Sequence, residues 1–439
     1  MIGLADILSN LTNVTSEIIS SYKEITLDRN LGVLSPIDEI NRNLSAFRNL
    51  LCVAHLNAVS IPKHKDEIFR ILCKTNIDIL CISETNIKKN TPKNLYNFPG
   101  YKFFHINRDW GKCGGVGILI KNEYALKAKK INVNFKQTQP ENIFIELEVN
   151  KLKVVVGVLY KSPKVRYGVF NDIFETLAFL TTKYSHCLFL GDFNIDQLQT
   201  GTAAYKFFQN NIIDPLSLTQ LVKSPTRIRD NSCTLIDLIL ANSPKNVKFV
   251  GTAEFPGVSD HKLVYCSYAL KKDKFKPQII KRRDFRNFVS DNFVRQMRNA
   301  DWDNIHMALN NNLDDATMKL EDTYINIINK NAPMRDIKVS KPAPASWLTD
   351  EITFLMDLRD KYKNKWNEIK KNSFLNGTAI TVNDNLYFKR FKELKNQVNH
   401  SIRKAKYADF NSKINSKLCE SKKFHFNLKQ FNVVDSKKK

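Results

Sequence analysis

No uncharged apolar run in these 439 residues approaches the ~20 that a membrane-spanning helix needs. The first residues, Met1-Ile-Gly-Leu-Ala-Asp6, lack the basic stretch and apolar core of a signal peptide. The eight cysteines form no Cys-x-x-Cys pair, and most sit in apolar runs. That argues against a disulfide frame or a zinc site and suits reduced core thiols in an intracellular protein. Internal repeats and long low-complexity tracts are absent. Acidic residues are scarce, with 44 Asp+Glu against 68 Lys+Arg and a net charge of +24. Such a balance points to nucleic acid or anionic lipid as a partner, with a solvated basic face as the plain alternative. Residues 271–439 hold 36 Lys+Arg against 20 Asp+Glu, so most of the excess lies in the last third. The hydrophobic fraction of 43% excludes a wholly disordered chain, and the length allows two or three domains.

Residues 1–48 read as a lead-in of one or two short helices, interrupted at Gly32 and Pro36. Apolar runs then mark strands at 50–57, 78–84, 114–120, 154–160, 187–190, 234–240 and 262–268. Residues 143–149 alternate, as a half-exposed strand would: Ile143, Ile145, Leu147 and Val149 against Phe144, Glu146 and Glu148. Helical spacing appears at 64–76, 168–184 and 203–213. Strand, helix, strand over 50–84 suggests a crossover unit. Gly114-Gly-Val-Gly117 could cradle a phosphate, but it has neither the spacing nor the lysine of a P-loop. A charged break at 271–283 marks a domain boundary, and beyond it the periods are helical. Thr349 or Asp350 is placed to cap one helix. The helix over 388–410 sets Phe388, Phe391, Leu394, Val398, Ile402 and Phe410 against a lysine- and arginine-rich remainder. A basic helix face suits phosphate backbones, and it equally suits solvation.

Polar residues end or interrupt the strands in chain order: Asn57, Glu84, Tyr160, Asp192, Asn194, Asp237, Asp260 and His261. Taken singly, an Asp after a strand often caps the next helix. Asp237 lies within Leu-Ile-Asp-Leu-Ile, where a buried carboxylate costs several kcal/mol unless it is paired. A histidine is the natural partner, held by the acid in one tautomer. Acids and amides converging on one sheet end suit a hard cation with oxygen ligands, most simply Mg²⁺. Such a site can activate a water and stabilise charge on a phosphoryl oxygen, with a histidine assisting.

The series Asn57, Ile82-Ser-Glu-Thr85, Gly114-Gly-Val-Gly117, Tyr160, Gly191-Asp-Phe-Asn194, Asp237 and Ser259-Asp-His261 resembles the endonuclease/exonuclease/phosphatase superfamily. More narrowly, it is similar to the apurinic-endonuclease-like domain of non-LTR retrotransposon polyproteins of the jockey and CR1 groups, over about residues 50–270. Trp347-Leu-Thr-Asp-Glu-Ile352 and the basic helix resemble the linker that joins endonuclease to reverse transcriptase in those polyproteins.

The resemblance implies a four-layer α/β sandwich of two mixed β-sheets flanked by helices over 49–270. A charged linker (271–283) and a mostly helical basic segment (284–439) would follow. It implies metal binding by Glu84, Asn57 and Asp260, with Mg²⁺ or Mn²⁺ as cofactor and Asn57 also supporting the phosphate. Tyr160 would bond the scissile phosphate, and Asp192 would orient or deprotonate the attacking water beside Asn194. His261 would contact the phosphate, oriented by Asp237, and Thr226 would help position DNA. The implied activity is a DNA endonuclease leaving a 3′-hydroxyl to prime reverse transcription. Its partners would be DNA and element RNA, with no membrane, and its place of action the nucleus. The alternatives are an inactive nucleic-acid-binding remnant and a small-molecule or lipid phosphoesterase. Val59 stands where many relatives carry an acid or arginine, a departure that weakens the repair-enzyme reading. The expected polymerase does not appear before Lys439, as in a truncated element, a partial gene model or a repurposed remnant.

Overall fold

The computed structural model describes residues 34–108, 114–132, 140–229, 232–272, 279–338, 345–375 and 386–415. The chain divides into two compact units: Met1–Asp273 with Ala343–Lys439, and Lys274–Pro342. The expected helical segment over 284–439 is therefore two pieces, because residues from Ala343 onward return to the first unit. Most of the expected lead-in, residues 1–33, lies outside the described residues.

The first unit carries β1 (Leu50–Asn57), β2 (Ile79–Ser83), β3 (Tyr101–Ile106), β4 (Val116–Lys121), β5 (Ala128–Lys130), β6 (Glu141–Val149) and β7 (Leu152–Tyr160). There follow β8 (Cys187–Asp192), β9 (Thr219–Gln220), β10 (Arg227–Arg229), β11 (Ser232–Thr234), β12 (Asp237–Ala241), β13 (Val247–Ala253) and β14 (Leu263–Lys271). Two six-stranded sheets result, ordered β13-β14-β1-β2-β4-β3 and β5-β6-β7-β8-β12-β9, and β10 pairs with β11 beside them. Both sheets are mixed: β1 runs parallel to β2 and β7 parallel to β8, while the other pairings are antiparallel.

The facing sides of the sheets close on one apolar core, with Val53, Ile79 and Ile118 from one sheet meeting Ile145, Val156 and Leu188 from the other. Helices α1 (Pro36–Asn43) and α2 (Ile61–Lys74) cover the outer face of the first sheet through Ile40, Ile68 and Leu72. Helices α3 (Asn171–Lys183) and α4 (Ala203–Phe208) cover the second through Ile173, Leu177 and Phe208. This is the four-layer sandwich. Strands buried on both faces are continuous apolar runs, which is why β1, β2, β7 and β8 stand out in the sequence. Phe144 is not half-exposed as its alternation suggests. It is fully buried and meets Phe189 edge-on, because a helix layer lies over that face.

In the second unit β15 (Ile279–Arg283) pairs antiparallel with β16 (Met334–Lys338). Between them run α5 (Ser290–Arg298), α6 (Trp302–Asn311) and α7 (Leu313–Asn331). Met318, Leu320 and Ile325 of α7 are exposed, although their spacing is loosely that of one helix face.

The chain then rejoins the first unit as α8 (Asp350–Leu375) and α9 (Leu386–Asn415). Thr349 Oγ1 accepts from the Ile352 amide at 3.2 Å, so threonine, rather than Asp350, is the cap. Ile352, Met356, Val398 and Ile402 enter the same core as Ile68 and Leu72 of α2. The described helices include none long and apolar enough to cross a membrane.

Candidate active site

The site forms where the carboxyl ends of parallel strands come together. Asn57 ends β1 in register with Ser83, the last residue of β2, so Glu84 follows at the same edge. In the second sheet Tyr160, Asp192 and Asp237 lie in one row, Tyr160 opposite Asp192 and Asp192 opposite Asp237. Asp237 is the first residue of β12, where the sequence suggested the middle of a strand over 234–240. The chain breaks before it because Thr226 Oγ1 accepts from the amides of Ile236 and Asp237, at 3.2 and 3.0 Å.

Two glycines permit the close approaches that bring these strand ends together. A Cβ on Gly191 would stand 1.8 Å from the Leu159 carbonyl oxygen, so β7 and β8 can pair there only through glycine. Gly115 has φ +88°, and its Cβ would meet Thr85 Oγ1 at 2.4 Å. The carbonyls of Gly115 and Gly114 instead receive the amides of Thr85 and Asn86, at 3.1 and 2.8 Å. The glycine run thus braces the segment after Glu84 through backbone hydrogen bonds.

Asn57 is the hub. Its fully buried amide donates to Glu84 Oε1 at 3.0 Å and to Asp192 Oδ2 at 2.9 Å. Tyr160 also donates to Glu84 Oε1, at 3.0 Å. Burial first, then the charges of Glu84 and Asp192, push the Tyr160 phenol well above its usual range, so it stays a neutral donor. Glu84 itself has φ +51°, a left-handed conformation that costs an L-residue roughly 1–2 kcal/mol. Val59, the position that departs from relatives, also has a positive φ, +54°.

On the other side, His261 Nδ1 lies 2.9 Å from Asp237 Oδ2 and 3.9 Å from Asp192 Oδ2. Burial alone would lower the imidazole pKa, but Asp237 and then Asp192 outweigh it and hold the ring up at about 9. Asp192 is pushed up to about 7, by burial first and by Asp237 next. Asp192, Asp237 and His261 present ligand atoms within 4.8 Å of one another. His261 Nδ1 is already engaged by Asp237, so the imidazole is better placed as an oriented acid than as a ligand. The oxygens of Glu84 and Asp192 fit a hard divalent cation, whereas the Asn57 oxygen accepts from the Val59 amide at 3.0 Å. Crowded acids with a raised Asp192 pKa are what such a charge would relieve.

The remaining expected residues are placed differently. Asn194, at φ +47°, donates through its side chain to the Lys161 carbonyl at 2.8 Å, and its own amide donates to Asp192 Oδ1 at 3.1 Å. It sits beside Asp192, as expected, and ties down the turn that follows. Asp260 accepts from Arg227 and Arg229, at 3.0 and 2.9 Å, and not from any group of the Glu84 cluster. Two guanidiniums bond one oxygen of its carboxylate, Oδ2, a pairing the sequence reading did not include. Thr226 is fully buried, so its hydroxyl fixes β12 and cannot reach DNA.

Two residues were missed. His55 is fully buried, with Nδ1 3.7 Å from Asp237 Oδ1 and Nε2 3.1 Å from Ser83 Oγ. Burial lowers its pKa to about 4, so it stays neutral beside the acid. Its position two residues before Asn57, on the same strand face, was the available signal. Arg108 lies over the Tyr160 ring, 5.6 Å from its centroid, and bonds Glu141. Nothing local in the sequence marks it, since it lies two residues past the end of β3 and meets Tyr160 of the other sheet.

Residues 47–261 match the Endonuclease/Exonuclease/phosphatase family. They form a domain of that superfamily. No curated protein matches the chain. Among solved structures, the domain is similar to the endonuclease domain of TRAS1, a telomere-specific non-LTR retrotransposon. The identity there is 14% and the TM-score 0.39, over 51% of this chain and 100% of that one. An AP endonuclease from Archaeoglobus fulgidus is 17% identical with a TM-score of 0.38, over 50% of this chain and 100% of the other. A mannosyl-6-phosphatase from Bacteroides thetaiotaomicron is 16% identical with a TM-score of 0.37, over 49% and 98%. The endonuclease/exonuclease/phosphatase domain has its acid, amide and imidazole groups gathered at one end of both sheets.

Proposed function

We propose that this domain is a metal-dependent DNA endonuclease that hydrolyses a phosphodiester and leaves a 3′-hydroxyl. It would be of the kind a non-LTR retrotransposon uses to nick its target and prime reverse transcription. The observation that carries the reading is Asn57, which joins Glu84 and Tyr160 to the Asp192–Asp237–His261 group. A basic excess over the last third of the chain and the linker-like Trp347–Ile352 stretch support DNA as substrate.

Glu84 and Asp192 would hold Mg²⁺ or Mn²⁺ through oxygen, with the Asn57 amide orienting both carboxylates. When bound, the ion supplies Lewis-acid polarisation of a phosphoryl oxygen. Asp192, kept ionised by a bound cation, would take a proton from the attacking water. Asn57 holds that carboxylate in place, and the Asn194 amide holds its other oxygen. His261 keeps Nδ1 on Asp237, which leaves Nε2 to donate to the phosphate. Charged up to about pH 9, the ring opposes the negative charge that grows on the phosphoryl oxygens. Tyr160, a neutral phenol, orients Glu84 and can turn its donor to the substrate.

Nicking of supercoiled plasmid in Mg²⁺ is the test. Asp192→Ala and His261→Ala are each expected to lower the rate by about 10²–10⁴-fold. The nicked ends should be extended by a polymerase without prior phosphatase treatment. Equal activity in wild type and both variants sinks the assignment. Turnover of an inositol phosphate with no DNA cut would favour the small-substrate phosphoesterase.

A further inference from the structure

A groove of about 700 Å³ opens from His261 and Asp260 and runs between two banks. One bank is the Glu254–Lys262 segment with the first turns of α2, and the other is α8 and α9. The second bank lies outside residues 47–261, so the superfamily domain by itself has only half of this groove.

Its charge is one-sided once the ion pairs are followed. Each of the four acids lining it already has a cation. Asp66 holds Lys406 at 2.6 Å, Glu67 holds Arg359 at 3.1 Å, Glu254 holds Lys262 at 2.9 Å, and Asp260 holds Arg227 and Arg229. Lys63 from α2 and Lys395 from α9 also line the groove; both are exposed and make no ion pair among the described residues. Lys363 lies 5.1 Å over the Phe391 ring and Lys370 5.8 Å over the Trp366 ring, contacts that hold two more ammonium groups on the second bank. The aromatic members of the lining, Phe255 and Phe391, are buried, and the exposed Val59 offers no aromatic or arginine anchor of the kind a protein partner needs. Cations and amides without an exposed aromatic anchor suit a phosphate backbone, whose contacts position a duplex without reading its sequence.

We propose that this groove takes the phosphodiester backbone of the DNA that flanks the bond held at His261. The inference rests on the endonuclease reading and extends it. The helices α8 and α9 form the second bank of the DNA track, and Lys63 and Lys395 each neutralise a phosphate from opposite sides of it.

The experiment uses the full chain and a labelled 30-base-pair duplex of arbitrary sequence, in EDTA, from 50 to 200 mM salt. The double variant Lys63→Glu/Lys395→Glu is compared with Lys129→Glu/Lys130→Glu, an equal charge change on exposed residues of β5 that do not line the groove. The slope of log affinity against log salt should shrink by about 0.9 for each phosphate that is no longer neutralised, so by close to 2 in the groove variant. It should stay at the wild-type value in the β5 variant. Equal slopes in all three proteins, or equal reductions in both variants, overturn the proposal. A chain that nicks plasmid but shows equal slopes keeps the endonuclease reading and loses the groove. A chain that never nicks but shows the split in slopes keeps the groove and loses the endonuclease reading.

Discussion

Asp237 is shared between two histidines whose protons behave in opposite ways. His261, 2.9 Å away, is held charged, while His55, 3.7 Å away and wholly buried, is held neutral. Both Asp192 and His261 bind protons more tightly in the fold than in the unfolded chain, so each stabilises the protonated side. The contribution of Asp192 is full below its ordinary 3.8 and is lost as pH rises to about 7. That of His261 is full below 6.5 and is lost as pH rises to about 9. In EDTA, His55, held neutral with its pKa lowered to about 4, gains as pH rises to 6.5 and offsets Asp192, so the urea midpoint is expected to stay nearly level from pH 5 to 6.5 and to fall from there to 9.5. The His261 part should be on the order of 2–3 kcal/mol. His261→Gln should flatten the upper half of that profile. Added Mg²⁺ at pH 8 should restore stability, since a cation favours ionised Asp192 and binds only the folded site. A flat profile for wild type in EDTA would count against this electrostatic picture. At this scale the residue types were legible, because acids at the ends of apolar runs stand out. The partners of Asp260 and Thr226 were not, since Arg229 and the Asp237 amide approach from other strands.

Helix α8 is fastened to α2 by buried charge. Arg70 is fully buried and bonds Asp360 at 2.9 Å, Glu67 at 3.3 Å and also Asp357. Arg359 completes the cluster by holding Glu67 and Asp360. Desolvation opposes the charges of Glu67, Arg70 and Arg359, and what offsets it is that each has at least two opposite charges beside it. Arg70→Met leaves carboxylates buried with fewer partners and is expected to cost about 3–5 kcal/mol in urea unfolding at pH 7. Lys74→Ala breaks the exposed pair with Asp350 and should change stability by no more than about 1 kcal/mol. Similar small losses in both would mean that the cluster does not hold α8. The helices themselves were readable from their apolar period and from the threonine cap. Their docking was not, because charged Arg70, Arg359 and Asp360 read as solvent-facing in any single-helix pattern.

The C-terminal helices belong to the first unit, although 69 residues of a separate unit, Lys274–Pro342, come between. Leu348, Ile352, Met356, Val398 and Ile402 are each at most 9% exposed in a core shared with α2. Burial of such side chains is worth roughly 1.5–3 kcal/mol apiece. A chain ending at Lys272 would uncover the facing surface of α2 and lose the Arg70 partners. It is expected to bind a hydrophobic dye and to melt well below the full chain, by 10 °C or more as a rough estimate from those burial values. An equally stable short chain would show that α8 and α9 contribute nothing to the sandwich.

The sequence by itself determined the strands, their polar ends and the superfamily, because strands buried on two faces are written as unbroken apolar runs. It also determined that a charge surplus of +24 would need an anionic partner or a solvated face. Only the tertiary structure decided which polar ends meet. Asn57 touches Asp192 across 135 residues, and Lys406 holds Asp66 across 340. Such pairs follow from strand register and helix docking, which are collective properties of the packed core and leave no mark at either residue. Asp192 and Asn194 stood out as a polar end to one strand. The fold made Asp192 a neighbour of Asn57, Asp237 and His261, and put Asn194 to work fastening the turn beside it.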